Sequence, residues 1–191
     1  MHDTYDLHKL VLASLMAALI AVGGYIAVPI GPVPIVLQNL FVLVAALLLG
    51  SRWASAAVAV YLLAGACGLP VFAGGGGGIG HLFGPRGGYL FGFLIAAFVV
   101  GKISEVSGRS PLAEIVGMVV GSLLIYAIGV PWLKAILGFD YTKALAVGMY
   151  PFIIGDILKI VAAFVIVKSV RPLLGKTLAA QPRPSSLGSL E

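Results

Sequence analysis

Asp156 and Lys159 stand three positions apart in the stretch Pro151-Phe152-Ile153-Ile154-Gly155-Asp156-Ile157-Leu158-Lys159-Ile160-Val161. On a helix this spacing projects both side chains from one face. The surrounding run is apolar enough to cross a bilayer, where a central charge costs about 2.5–3.5 kcal/mol on insertion scales. An adjacent opposite charge lowers that cost. One reading is therefore a neutralised structural pair, or a pair near a helix end that reaches water. The other is a pair lining a polar cavity, with the carboxylate accepting hydrogen bonds from a solute and the ammonium donating them. Ionisable residues inside membrane segments mark functional sites by default, which favours the second reading. Arg86 opens another apolar run behind Gly84-Pro85, and its guanidinium can grip a carboxylate with two parallel hydrogen bonds. Gln38, with Asn39 beside it, opens a further run with an amide that both donates and accepts. Gln38, Arg86, Asp156 and Lys159 together suit a ligand that is anionic at one end and amide-like at the other.

Reaction chemistry has less support. Of the three His residues, His2 and His8 lie in the N-terminal region. No His–carboxylate spacing fits a metal site, and no Ser sits in a nucleophile elbow. A membrane enzyme acting on lipid-linked substrates lacks its reacting group. A purely structural subunit would not need Asp156 and Lys159. A solute-binding component of a transporter explains both.

The elements that must position these residues are membrane helices. Of 191 residues, 60% are hydrophobic and 10% charged, against about 25% charged in soluble domains. The mean hydropathy of +1.10 leaves too little polar surface for water, so lipid must cover the chain. Six apolar runs occupy roughly 7–26, 35–49, 53–68, 87–103, 112–130 and 148–170. Pro131 is expected to end the fifth. The second and third are short, so one of them is tilted or partly re-entrant. The first is too long for a signal-peptide core and is kept as a spanning helix. The net charge of +5 comes from scattered basic residues flanking the runs, a topology signal rather than a nucleic-acid footprint. Lys9, Arg52, Lys102, Arg109, Lys168, Arg171, Lys176 and Arg183 fall on one side of a six-helix arrangement, which puts both termini in the cytoplasm. Arg86, Lys134 and Lys143 fall on the other and need another reason to be there. The expected architecture is all-α: a single domain over 1–173 and a disordered tail over 174–191. Cys67, the one cysteine, supports no disulfide and is expected as a small buried hydrophobe.

Ala13, Ala17 and Ala21 form a small-residue stripe on the first helix, which allows close helix approach in lipid. It serves either internal packing or docking of a separate membrane protein. Gly74, Gly75, Gly76, Gly77 and Gly78 form a mobile loop. Gly75, Gly77 and Gly80 match the dinucleotide fingerprint only formally, because no strand precedes them and no acidic residue follows at the required distance. Val71, Phe72, Ile79, Leu82 and Phe83 give the loop apolar anchors, which suits a lid over a ligand better than a plain linker.

Five stretches together resemble the BioY family, the biotin-specific substrate-binding components of energy-coupling-factor transporters. They are Pro32-Val33-Pro34-Ile35-Val36-Leu37-Gln38-Asn39-Leu40-Phe41, Leu47-Leu48-Leu49-Gly50-Ser51-Arg52, Gly68-Leu69-Pro70-Val71-Phe72-Ala73-Gly74, Phe83-Gly84-Pro85-Arg86-Gly87-Gly88-Tyr89-Leu90 and Gly155-Asp156-Ile157-Leu158-Lys159. The resemblance implies six transmembrane helices in a prokaryotic plasma membrane, with cytoplasmic termini. It implies a biotin pocket near the outer face, closed by two loops, and carries a polar role onto Asp156, Lys159 and Arg86; with Gln38 and Tyr89 these make the expected binding set. It implies one transmembrane coupling protein and two ATPase subunits as partners. ATP is then used only by those partners, and the chain itself needs no cofactor or metal. It also turns the Ala13, Ala17, Ala21 stripe toward the docking reading. A homo-oligomer stays open.

Overall fold

The computed structural model describes residues 2–29 and 31–179. Helix α1 (His2–Tyr25) leads into a two-stranded antiparallel ribbon, β1 (Ala27–Val28) and β2 (Ile35–Val36), in which Ala27 faces Val36 and Val28 faces Ile35. Next come α2 (Gln38–Ala66), the short α3 (Ile79–Leu82), α4 (Gly87–Val106), α5 (Pro111–Leu137) and α6 (Tyr141–Gly148). A 3-10 turn at Tyr150–Phe152 precedes α7 (Ile153–Ala179). Five of these helical stretches are long and apolar enough to cross a membrane.

The second run does not begin as a helix at 35. Pro32 and Pro34 disfavour helix just before it, and the β-branched Ile35 and Val36 pair with β1 instead. Helix α2 then carries a break that turns five stretches into six passes. Gly50 sits at φ 80° and ψ 178°, outside any helical region. Gln38 and Tyr61, 23 positions apart, share a hydrogen bond of 2.6 Å. On a straight helix they would be roughly 34 Å apart. The limbs 38–49 and 51–66 therefore run antiparallel. The start of α1 and the end of α7 consequently share one pole of the bundle, and Gln38 and Tyr61 lie toward the other.

The break leaves helix ends inside the bundle; side chains of α4 and α7 bond them, and α5 supports the α7 side chain. Glu105 of α4 accepts hydrogen bonds from the Ser51 backbone N–H at 2.8 Å and the Ser51 hydroxyl at 2.9 Å. Arg171 of α7 donates to the Leu47 carbonyl at 2.8 Å and to Glu114 of α5 at 2.6 Å. The Ser104 hydroxyl donates to the same Glu114 oxygen at 2.7 Å.

The α2 hairpin is the centre of the bundle, packed against α1, α4 and α7, with α5 against α4. Ala13 and Ala17 are 5% and 7% exposed and belong to this core, while Ala21 is half-buried. Within the chain these small side chains let α1 approach its own neighbours. The outward face of α1 is Leu10, Val11, Leu15 and Val22. Helix α5 continues through Pro131 to Leu137 rather than stopping. The lost N–H is tolerable in a packed membrane helix, and buried Val130 and Leu133 hold the turn around it. Helix α7 runs on past Pro172 to Ala179, beyond the expected domain end at 173; residues 180–191 of the tail lie outside the described residues. Cys67 is exposed rather than buried, because α2 ends just before it. Lys134 lies 4.8 Å from the Tyr141 ring centre and Lys143 4.4 Å from that of Phe139. Cation–π contacts thus account for two of the three basic residues that the charge pattern left unexplained.

Candidate functional site

A cavity opens at the Gln38 pole. At about 1.5 Å per residue the limb 38–49 is only about 18 Å long, against about 30 Å for α4. The short limb leaves room above its first turn, and loops roof that space. Val33, Pro34, Val36, Phe72, Leu90, Phe93, Ile125 and Phe152 supply apolar walls. Gln38, Asn39, His81, Arg86, Tyr89, Tyr126, Asp156 and Lys159 supply the polar lining. All five residues of the sequence-derived binding set are therefore brought to one cavity.

Their chemistry is unequal. Asp156 and Lys159 are 7% and 6% exposed and form an ion pair of 3.1 Å, one turn apart at the start of α7. Asp156 Oδ1 also accepts from Asn39 Nδ2 at 2.7 Å, and Oδ2 accepts from the Tyr126 hydroxyl. Three helices thus hold this carboxylate. Gln38 spends its amide N–H on Tyr61. The Tyr89 hydroxyl donates to the Gly148 carbonyl at 2.8 Å, so it ties α4 to the end of α6 while its ring faces the cavity. Gly129 makes room for that ring: a Cβ there would lie 2.4 Å from it.

Arg86 holds the roof. Its Nε donates to the Pro32 carbonyl at 3.0 Å and one terminal nitrogen to the Ala73 carbonyl at 3.3 Å. One side chain thereby ties the β1–β2 loop to the glycine-rich loop. Gly74 and Gly78 donate their backbone N–H groups to the carbonyls of Gly24 at 3.0 Å and Gly65 at 2.7 Å. Gly74, Gly75 and Gly78 have φ of 75°, 79° and 92°, a region that favours glycine. The glycines do not line the cavity; their neighbours Phe72, Ala73 and His81 do. Of the expected apolar anchors, Phe72 is buried against the Tyr61 ring, whereas Ile79 and Phe83 are exposed.

Sequence reasoning passed over Tyr126 and gave Asn39 only as a neighbour of Gln38. The signal for Tyr126 was a hydroxyl in the apolar stretch Leu123-Leu124-Ile125-Tyr126-Ala127-Ile128. The arrangement as a whole can do one thing chemically: seat a compact, largely apolar molecule whose polar head meets a carboxylate, an ammonium and an amide. Among the described residues no group of three or more His, Cys, Asp or Glu side chains is placed to hold a metal ion.

The sequence profile of the BioY family matches residues 1–176. The chain belongs to the BioY family. A biotin transporter BioY of Thermotoga maritima is 43% identical over 170 residues, covering 87% of this chain and 98% of that one. A probable biotin transporter BioY of Pyrococcus horikoshii is 42% identical over 160 residues, covering 84% and 94%. A solved structure agrees: a 2.1 Å crystal structure of the S-component for biotin from an ECF-type ABC transporter superposes with a TM-score of 0.82 at 30% identity, covering 90% of this chain and 95% of that one. The chain is thus similar to named transporters along nearly its whole length, and its helices make it a multi-pass membrane protein.

Proposed function

We propose that this chain captures biotin in the cavity at the Gln38 pole and delivers it across the plasma membrane with an ATP-driven coupling module. The observation that carries the reading is the buried Asp156–Lys159 pair at the polar end of an apolar cavity, in a member of this family. Biotin offers an apolar bicycle and valeryl chain, a ureido group and a carboxylate. The ureido N–H groups suit Asp156, and its carbonyl suits Lys159. Arg86 has five N–H groups, so some remain for the ligand carboxylate beside those on the loop carbonyls. The coupling module consists, on this reading, of a transmembrane coupling protein and two ATPases. The test is titration of detergent-purified protein with labelled biotin. Saturable binding displaced by unlabelled biotin is expected; no binding would sink the proposal.

The roof follows from the same reading. Arg86→Met frees both loops at once. Loss of hydrogen bonds from a charged donor costs about 1.5–3 kcal/mol, roughly ten- to a hundredfold in affinity. Most of that loss should read as faster release in a stopped-flow experiment. An unchanged release rate would mean that the loops stay closed without Arg86.

The cavity pole faces outward and both termini lie in the cytoplasm, on the support of the basic residues collected at the other pole. Cys67 is an exposed reporter at the cavity pole. A membrane-impermeant maleimide applied to intact cells should label it. It should leave Cys67→Ser/Ser110→Cys unlabelled until the cells are opened. The reverse pattern would invert the topology.

A further inference from the structure

Asn39 is 8% exposed and lines the cavity on the first turn of α2. Its Nδ2 donates to Asp156 Oδ1 at 2.7 Å. That contact fixes the amide, because the opposite orientation would press two acceptors together. The side-chain oxygen is therefore turned away from Asp156, and among the described residues it is buried without a hydrogen-bond partner. A buried acceptor left unpaired costs about 1–3 kcal/mol. Asp156 has capacity of its own to spare. A carboxylate offers about four lone-pair sites. Oδ1 takes Asn39 and Lys159, while Oδ2 takes Tyr126. The residues that line the cavity thus include a carboxylate with a lone pair open, an amide whose oxygen has no donor, and an ammonium. A cyclic urea is the complement of that set: two N–H donors flanking one carbonyl.

We infer that the Asn39 side-chain oxygen accepts one ureido N–H of the ligand while Asp156 accepts the other, so that Asn39 makes the site selective for a urea over a ring with a single N–H. This rests on the cavity being the biotin site. A lactam or cyclic carbamate would leave one of the two acceptors buried and unpaired.

The probes are biotin and its two cyclic carbamate analogues, in each of which a ring oxygen replaces one ureido N–H. Each is titrated against the wild type and Asn39→Leu, a variant of similar size without the amide. The wild type should bind both carbamates about tenfold or more weaker than biotin. Asn39→Leu should bind biotin about tenfold weaker. In that variant one carbamate should lose its penalty relative to biotin, while the other, facing Asp156, keeps it. If Asn39→Leu weakens all three ligands by one common factor, Asn39 acts only by holding Asp156, and the inference is overturned. A wild type that binds biotin and both carbamates equally overturns it too. A wild type that retains no biotin sinks the cavity reading itself, a separate result. Asn39→Ala repeats the comparison should the leucine variant not fold.

Discussion

Lys159→Met is expected to abolish high-affinity biotin capture and to lower the melting temperature, whereas adding Asp156→Asn to it is expected to restore stability alone. Lys159 is the counter-charge of a carboxylate that is almost fully buried. Taking away one member of a buried pair costs about 3–5 kcal/mol, because the remaining charge has no compensation. Asn39 and Tyr126 still donate to Asp156, but neutral donors do not cancel its charge. In Asp156→Asn/Lys159→Met the charge is gone from both positions; Asn39 can still donate to the new amide oxygen, and the Tyr126 hydroxyl can turn to accept from the new amide N–H. That double variant should melt near the wild type. It should not regain affinity, because both charged contacts to the ureido group are missing. Asp156→Asn alone should weaken binding by about 1.5–3 kcal/mol, roughly ten- to a hundredfold. Calorimetric titration and thermal melting of the three variants make the test. A double variant that binds like the wild type would make the pair structural and place biotin elsewhere.

The pair was legible in the sequence because charge is expensive in lipid, so two charges one turn apart stand out from an apolar run. Gln38 and Arg86 were legible for the same reason, as polar groups at the first turns of spanning helices. Their bonding was not. Nothing local says that Gln38 meets Tyr61 or that Arg86 bonds two loop carbonyls, since these contacts join segments 23, 54 and 13 positions apart. The Asn39–Asp156 contact spans 117 positions. Helix count was read correctly from apolar runs, but boundaries failed where context overrode local preference. Pro131 lost to packing around Val130 and Leu133, and Ile35 lost to pairing with β1. The stripe Ala13, Ala17, Ala21 shows a sharper limit. Small residues report that something comes close, and only the fold shows that Ala13 and Ala17 pack within their own chain.

Gly50 is where the sequence marked a stop between helices and the structure makes a reversal. Gly50→Ala is expected to destabilise the protein more than any other single methyl added at a positive-φ glycine. Its φ of 80° with ψ of 178° is a glycine-specific conformation, which costs another residue about 1–3 kcal/mol. A Cβ there would also lie 2.2 Å from Glu105 Oε1. The carboxylate must retreat, and it then releases the Ser51 backbone N–H and hydroxyl that it holds at 2.8 and 2.9 Å. Losing hydrogen bonds to a charged group adds about 1.5–3 kcal/mol. The sum is about 2.5–6 kcal/mol, a large share of a typical folding free energy of about 5–15 kcal/mol. Gly108→Ala is the control. Its φ of 62° is also positive, but nothing lies within 4 Å of a Cβ there, so only the backbone strain applies. Glu105→Gln is the complementary control, since the amide oxygen can still accept from Ser51. Thermal unfolding in detergent should rank Gly50→Ala well below both. The biotin affinity of the protein that remains folded should stay close to that of the wild type, because the lesion lies at the pole away from the cavity. If Gly50→Ala and Gly108→Ala melt together, Glu105 is not what secures the reversal, and the two limbs of α2 are held by apolar packing alone.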